Sequence, residues 1–157
     1  MKIINLHNIH DYACQLMAKH NLHYPWVFKL DRAKRRAGRC THYKKVISLS
    51  YHHVILNNDE EITDTILHEI AHALAGPGVH HGPKWKAIAR QIGARPERCY
   101  DADKVTMPKG KYEATCPTCK KTFHKHRRPK AGRIRYCAKC GSDKGRLTFS
   151  IASCLVF

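Results

Sequence analysis

Residues 59–76 read Asp-Glu-Glu-Ile-Thr-Asp-Thr-Ile-Leu-His-Glu-Ile-Ala-His-Ala-Leu-Ala-Gly, and this stretch decides the fold. Asn58 or Asp59 can cap a helix, and Glu60 and Glu61 sit in its first turn, where the helix dipole favours acidic groups. Gly76 and Pro77 then stop it. At about 100° per residue, His68 and His72 lie some 40° apart on one face. Ile62, Ile66, Ile70 and Ala73 fall between roughly 120° and 200° from His68, so the two imidazoles point away from the apolar stripe. One helical turn is the separation that lets two ring nitrogens reach a single Zn²⁺ at about 2.0–2.1 Å. Glu69, rotated by about 100°, can meet a water at such an ion without ligating it.

A zinc that does chemistry needs a third protein ligand and an open position. The metzincin spacing fails, because Ala75 and Gly78 stand where that pattern wants Gly and His. Glu97 lies beyond the next helix. His80 and His81 are better placed, since the Gly76-Pro77-Gly78 turn folds the chain back and Pro83 starts another helix just after them. Spacing alone does not choose between the two. The helix begun by Pro83 carries Trp85, Ile88, Ala89 and Ile92 on one face and ends at Gly93. Upstream, Ile9, Ala13, Leu16, Met17 and His20 predict a helix over 8–20, and residues 26–30 suit a strand. An Arg- and Lys-rich loop with Arg32, Arg35 and Arg36 follows. Residues 46–51 then alternate, with Ile47, Leu49 and Tyr51 facing inward and Ser48 and Ser50 outward, as in a half-buried strand. The fold class is α+β, a small zincin-like domain with helices packed on a short sheet.

The chain has 157 residues, a formal net charge of +17, thirteen His and eight Cys, with 43% of residues hydrophobic. A core drawn from so few apolar residues welcomes a metal staple. No run of 18 apolar residues offers a membrane-spanning helix, and MKIINLHNIHDYACQ does not read as a signal peptide. The expected location is therefore the cytoplasm (at the nucleoid, or in a host's cytoplasm if phage-encoded), where cysteines are read as metal ligands before disulfides. Charge and cysteine content change near Pro108-Lys109-Gly110, which divides the chain into residues 1–108 and 109–157. The second part holds thirteen Lys and Arg against Glu113 and Asp143. Cys116-x-x-Cys119 and Cys137-x-x-Cys140, 17 residues apart, have the spacing of a closed structural Cys₄ zinc site. With strands expected at 112–115, 133–136 and 147–151, this reads as a β zinc ribbon. Lys120, Lys121, Lys125, Arg127, Arg128, Lys130, Arg133 and Arg135 are interleaved there with Phe123, His124, His126 and Tyr136. Such cations neutralise phosphates and such rings stack on unpaired bases, so the ribbon and the Arg32–Arg39 loop are expected to bind nucleic acid without sequence preference. Cys14, Cys40, Cys99 and Cys154 are solitary and expected as small buried apolar residues. Residues 153–157 are expected to close the ribbon core, the alternative being a short exposed docking tail.

The segment HEIAHALAGPGVHHGPKWKAIARQIGA resembles the SprT-like family of zinc metalloproteases, which pairs H-E-x-x-H with a downstream H-G-P motif, matched here by His81-Gly82-Pro83. Residues 37–40 leading into 47–50 also look like the strands that precede the family's active helix, and the family often ends in a zinc ribbon. The resemblance implies His68, His72 and His81 as ligands of a catalytic zinc. It implies Glu69 as the general base that takes a proton from water and passes it to the leaving amine. Two zinc ions per chain are expected, one catalytic and one structural. The implied partners are DNA, single-stranded or at junctions, and the proteins bound or crosslinked to it, as for the family's Spartan branch. The short form looks more like bacterial or phage members, and the oxyanion partner is left open between His80 and Tyr100. The competing expectation is a nucleic-acid-binding zinc protein that works beside transcription or replication without proteolysis.

Overall fold

A computed structural model describes residues 3–98 and 104–152; Cys99, Tyr100, Cys154 and the rest of the 153–157 segment lie outside the described residues. The chain divides into two compact units, residues 1–107 and 108–157. No helix among the described residues is long and apolar enough to cross a membrane.

The first unit runs α1 (Ile9–Lys19), β1 (Val27–Asp31), β2 (Gly38–Thr41), β3 (Val46–Ser50), α2 (Tyr51–Leu56), α3 (Asp59–Ala75) and α4 (Pro83–Ile92). Its sheet has the order β1-β3-β2, with β1 parallel and β2 antiparallel to β3. Helix α3 packs on β2 and β3 and is flanked by α1 and α4. Ile62, Ile66 and Ile70 of α3 are fully buried against Ile9 and Ala13 of α1, Ile47 and Leu49 of β3, and Trp85 and Ala89 of α4. Each such aliphatic side chain contributes about 1.5–3 kcal/mol on burial, so the apolar stripe of α3 is what centres it in the unit.

The helix starts where its caps dictate. The Asn58 side chain accepts the Glu61 backbone N–H at 2.9 Å. Asp59 instead accepts the backbone N–H groups of Ile3 and Ile4, tying the N-terminal segment to α3. At the other end Gly76 takes φ +99°, a conformation that side chains resist.

Two expectations for this unit are corrected. Tyr51 does not continue the inner face of β3; it opens the short helix α2 and is 39% exposed. Ser48 and Ser50 are buried, not solvent-facing, because the 32–37 loop folds over that face. Its anchors are the Ser50 hydroxyl donating to the Ala33 carbonyl at 2.6 Å and the Ser50 N–H donating to the Ala37 carbonyl at 2.7 Å. The polar side chains are tolerated there because the loop supplies an acceptor to Ser50 and the Asp31 carboxylate of β1 one to Ser48. A buried polar cluster also links α2 to α3. His53 contacts the Thr65 hydroxyl at 3.0 Å and the Asn57 amide at 3.1 Å, and Asn57 exchanges two hydrogen bonds with the Thr106 backbone.

The second unit is small: β4 (Tyr112–Thr115), β5 (Thr122–Lys125), α5 (Gly141–Lys144) and β6 (Ser150–Ile151), in an antiparallel sheet of order β5-β4-β6. Here the expected strands are partly wrong. Residues 133–136 form no strand and contribute one bridge, Tyr136 to Arg146, while only the last two residues of 147–151 pair with β4. The other partner of β4 is β5, which was not expected. The first cysteine knuckle is itself the hairpin loop between them, with the Cys116 N–H donating to the Lys121 carbonyl at 2.9 Å, so a strand must follow it directly.

Candidate metal centres

In the first unit, α3 presents His68 and His72 one turn apart, their ring centroids separated by 5.1 Å. Gly76 and Gly78, both at positive φ, turn the chain back so that the next residues return along α3. His81 then points its Nε2 at both histidines, 3.0 Å from each of their Nε2 atoms. Of the two neighbours that spacing left equivalent, His81 joins the trio, whereas His80 is exposed on the cleft wall. Glu97 also lies on that wall, outside the trio.

Three neutral imidazoles meeting through the same nitrogen cannot all hydrogen-bond to one another, since each carries one N–H. Two nitrogens bound at about 2.05 Å to a tetrahedral ion would lie ~3.3 Å apart, close to the observed spacing. Burial, then the neighbouring imidazoles, pushes His68 down to about 3, and burial followed by His81 pushes His72 down to about 4. His81 is lowered by burial and by the nearby Arg98 charge. The trio is therefore neutral near pH 7, the form a metal requires. The Val79 backbone hydrogen-bonds the His72 ring, a contact of the kind that fixes a ligand's tautomer. Beneath the three rings lies the fully buried Trp85 indole, with centroids 4.6 Å from His68 and His81 and 5.3 Å from His72.

Glu69 is not in this trio. Its side chain lies buried between α3 and β2. Burial pushes its carboxyl up to about 8, against the opposing pull of the Cys40 backbone N–H and the Arg36 charge. A divalent cation at the adjacent histidines acts in the same direction as those two. Gly38 makes the approach possible: a Cβ there would fall 2.8 Å from both Cγ and Oε1 of Glu69 and 3.1 Å from Thr65 Cγ2. Sequence reasoning missed Gly38, although a glycine inside a strand pattern is a known signal of close backbone approach. It also missed Arg95, which binds both carboxylate oxygens of the buried Glu61 at 3.0 and 2.5 Å and Asp64 at 2.9 Å.

These groups open onto a cleft of about 1230 Å³ whose wall includes edge strand β2. Arg35 and Arg36 line it, while Arg32 stands exposed outside it. Arg36 is tied to Asp31 at 2.7 Å. Cys14 and Cys40 are half-buried, where full burial was expected. The Cys40 thiol, on the cleft wall, is pushed up to about 12 by burial and by the Glu69 charge.

In the second unit the sulfurs of Cys116, Cys119, Cys137 and Cys140 converge within 4.8 Å. Cys119 and Cys137 are 3.6 Å apart, too far for a disulfide and near the ~3.8 Å between sulfurs on a tetrahedral zinc. Each knuckle is followed by a residue at positive φ, Lys120 and Gly141. Backbone N–H groups of Cys119 and Thr118 directed at Cys116 pull its thiol down to about 7, toward the thiolate a metal binds. Both donor sets fit zinc. Lys120, Lys121, Arg127, Arg128, Lys130 and Arg133 are exposed on this unit, and Lys125 and Arg135 are half-buried. Lys121 lies over Phe123 and Lys125 over Phe149.

The sequence model of the SprT-like family matches residues 6–107. Protein SprT of Pseudomonas paraeruginosa (strain DSM 24068 / PA7) is 32% identical over 105 residues, 60% of this chain and 62% of that protein. Protein SprT-like of Bacillus subtilis (strain 168) is 31% identical over 114 residues, 70% of this chain and 75% of that protein. The chain thus spans about 62% of the length of its Pseudomonas relative. No solved structure matches it. With a matched segment that contains the whole histidine trio and Glu69, the chain belongs to the SprT-like family.

Proposed function

We propose that this chain is a zinc-dependent endopeptidase acting on proteins bound or crosslinked to DNA. The observation that carries the reading is Glu69: a carboxylate beside three convergent imidazoles, outside their ligand set, held against an edge strand. A purely structural metal site has no use for it. His68, His72 and His81 would hold the ion, which when bound acidifies a water and polarises a carbonyl oxygen. Glu69 is placed to accept a proton from a water at the trio and to pass it to the departing amine. Strand β2 has one unpaired edge along the cleft, so an extended peptide can add to it as a further strand and be fixed in register beside Glu69.

The nucleic-acid half of the proposal rests on charge. The second unit carries most of its cations on exposed side chains and holds only two acidic residues, and its four cysteines would hold a second, structural zinc. DNA held there, without sequence preference, raises the local concentration of an attached protein at the cleft. The setting that goes with this reading is the cytoplasm, at the nucleoid or, for a phage-encoded chain, in the host.

The test compares wild type with Glu69→Gln on a basic protein bound to DNA, with and without single-stranded DNA, at two salt concentrations. Cleavage by wild type that DNA stimulates and salt suppresses is the expected result, with a loss of about 10²-fold or more in Glu69→Gln at unchanged metal content. If both proteins bind DNA and neither cuts, the chain is a nucleic-acid-binding zinc protein.

A further inference from the structure

Not all aromatic side chains of the first unit serve its core. Tyr24 is 94% and Tyr43 80% exposed. The parallel pairing of Val27 with Val46 and the Val27 N–H bond to the Lys45 carbonyl bring their two segments side by side. Trp26 there meets His42 edge-on, with centroids 5.7 Å apart. Lys45 Nζ stands 5.1 Å from the centre of the Trp26 ring, and Lys44 Nζ 5.5 Å from that of Tyr43. Lys45 holds this place at φ +51°, a left-handed conformation better suited to glycine or asparagine. The conformation is that of a helix C-cap, in which the Lys45 N–H donates to the His42 carbonyl at 3.1 Å and closes the short 3₁₀ turn His42–Lys44. Neither residues 20–30 nor residues 32–58 contain a single Asp or Glu. His42 also lines the cleft that holds Glu69.

We propose that Tyr24, Trp26, His42, Tyr43, Lys44 and Lys45 form a stacking platform for single-stranded nucleic acid on the catalytic unit itself. The inference rests on the nucleic-acid half of the function proposed above and adds to it a second surface, separate from the cysteine-bearing unit. Open tyrosine faces accept unpaired bases of any sequence, and the lysines neutralise the phosphates between them. A duplex keeps its base faces stacked inside and gains only the charge. Because His42 belongs to both surfaces, a strand on the platform runs to the mouth of the cleft. A protein attached to that strand is thereby delivered to Glu69.

The experiment titrates the full, zinc-loaded chain into labelled oligothymidylate of 15 nucleotides and into a duplex of equal length, read by fluorescence anisotropy. Tyr24→Ala/Tyr43→Ala removes exposed rings, and Lys45→Gly relieves its backbone, so both variants should unfold thermally like wild type. Stacking predicts that the double variant binds the single strand about tenfold or more weakly and Lys45→Gly about threefold, with duplex binding changed less than twofold. Single-strand binding within twofold of wild type for the double variant overturns the platform, as does an equal loss on duplex, which would mark a merely electrostatic surface. Lys120→Ala/Lys121→Ala separates the two surfaces. Losses confined to that variant overturn the platform alone, whereas a wild type that binds neither oligonucleotide removes the nucleic-acid reading with it.

Discussion

A methyl group at Gly38 has nowhere to go: its carbon would sit 2.8 Å from two atoms of Glu69, inside contact distance. Either β2 retreats or the carboxylate swings away, and a displacement of about 1 Å at a proton-transferring group can cost up to 10²-fold in rate. Gly38→Ala is therefore expected to lower kcat of the proposed hydrolysis by about tenfold or more while both candidate metal sites fill as in wild type, because the atoms nearest to the added methyl belong to Glu69 and Thr65. Metal analysis alongside steady-state kinetics checks this; a variant that cuts at wild-type rate would show that Glu69 does not need its strand. Among single residues the sequence was most informative where chemistry demands a fixed spacing. His68, Glu69 and His72 lie within one turn, so helical geometry alone orients them. Gly38 and Glu69 are separated by the whole of β3 and α2, and a contact across that distance leaves no periodic trace.

At the scale of elements, α3 was legible because its signals are local: Asn58 caps it, the isoleucines keep helical phase, and Gly76 ends it. What holds its first turns to the rest was not legible. Arg95 follows α4 and reaches back to Glu61 and Asp64, and Glu61 is 4% exposed. Arg95→Ala leaves a buried carboxylate without its cation. After discounting for the partial exposure of the arginine, the expected loss is about 2–3 kcal/mol, read as a lower urea midpoint at unchanged slope. The 32–37 loop makes a pH-dependent contribution. Although burial raises the Asp31 carboxyl, the Ala33 N–H, the Ser48 hydroxyl and Arg36 outweigh it and hold the pKa below its ordinary value. A carboxylate with a depressed folded pKa stabilises above its unfolded pKa, and that stability is lost as pH falls through the folded value. Wild type should thus lose ~0.5 kcal/mol more than Asp31→Asn on acidification below about pH 4, a small figure because Asp31 and Arg36 are both partly exposed to water. Equal acid sensitivity of the two proteins in urea titrations would deny the loop that role. The same loop explains why alternation misjudged β3. Period-2 patterning reports the polarity of a face, and Ser48 and Ser50 are polar, but it cannot report that a loop brings an acceptor to Ser50 or that Asp31 of β1 meets Ser48.

Across the whole molecule the two units answer differently to the loss of metal. The first has an extensive apolar core, from Ile9 through Leu49 and Ile70 to Trp85, which needs no ion to exclude water. In the second, the buried apolar residues among those described are Ala114, Cys116 and Cys137, two of them metal donors. A 50-residue unit so built buries too little area to offset its chain entropy, so its fold would depend on a cation held by the cysteine cluster. The composition already hinted at this, since few apolar residues and four clustered cysteines belong together; the division of apolar residues between the units did not show in the totals. The sites also differ in how they release metal. Three imidazoles and an open position give up zinc to a chelator more readily than four thiolates in a closed shell. Mild chelation should accordingly abolish the proposed peptide hydrolysis with little change in hydrogen exchange anywhere in the chain. Stronger treatment, by acid or a thiol-reactive mercurial, should then strip amide protection from residues 108–152 while α3 and β3 keep theirs. Exchange measured by mass spectrometry resolves the two segments. If α3 loses protection at the first step, the histidine site is holding the first unit together and the core assigned to it is not sufficient. If residues 108–152 stay protected after both metals are gone, the second unit folds on contacts other than its cysteines.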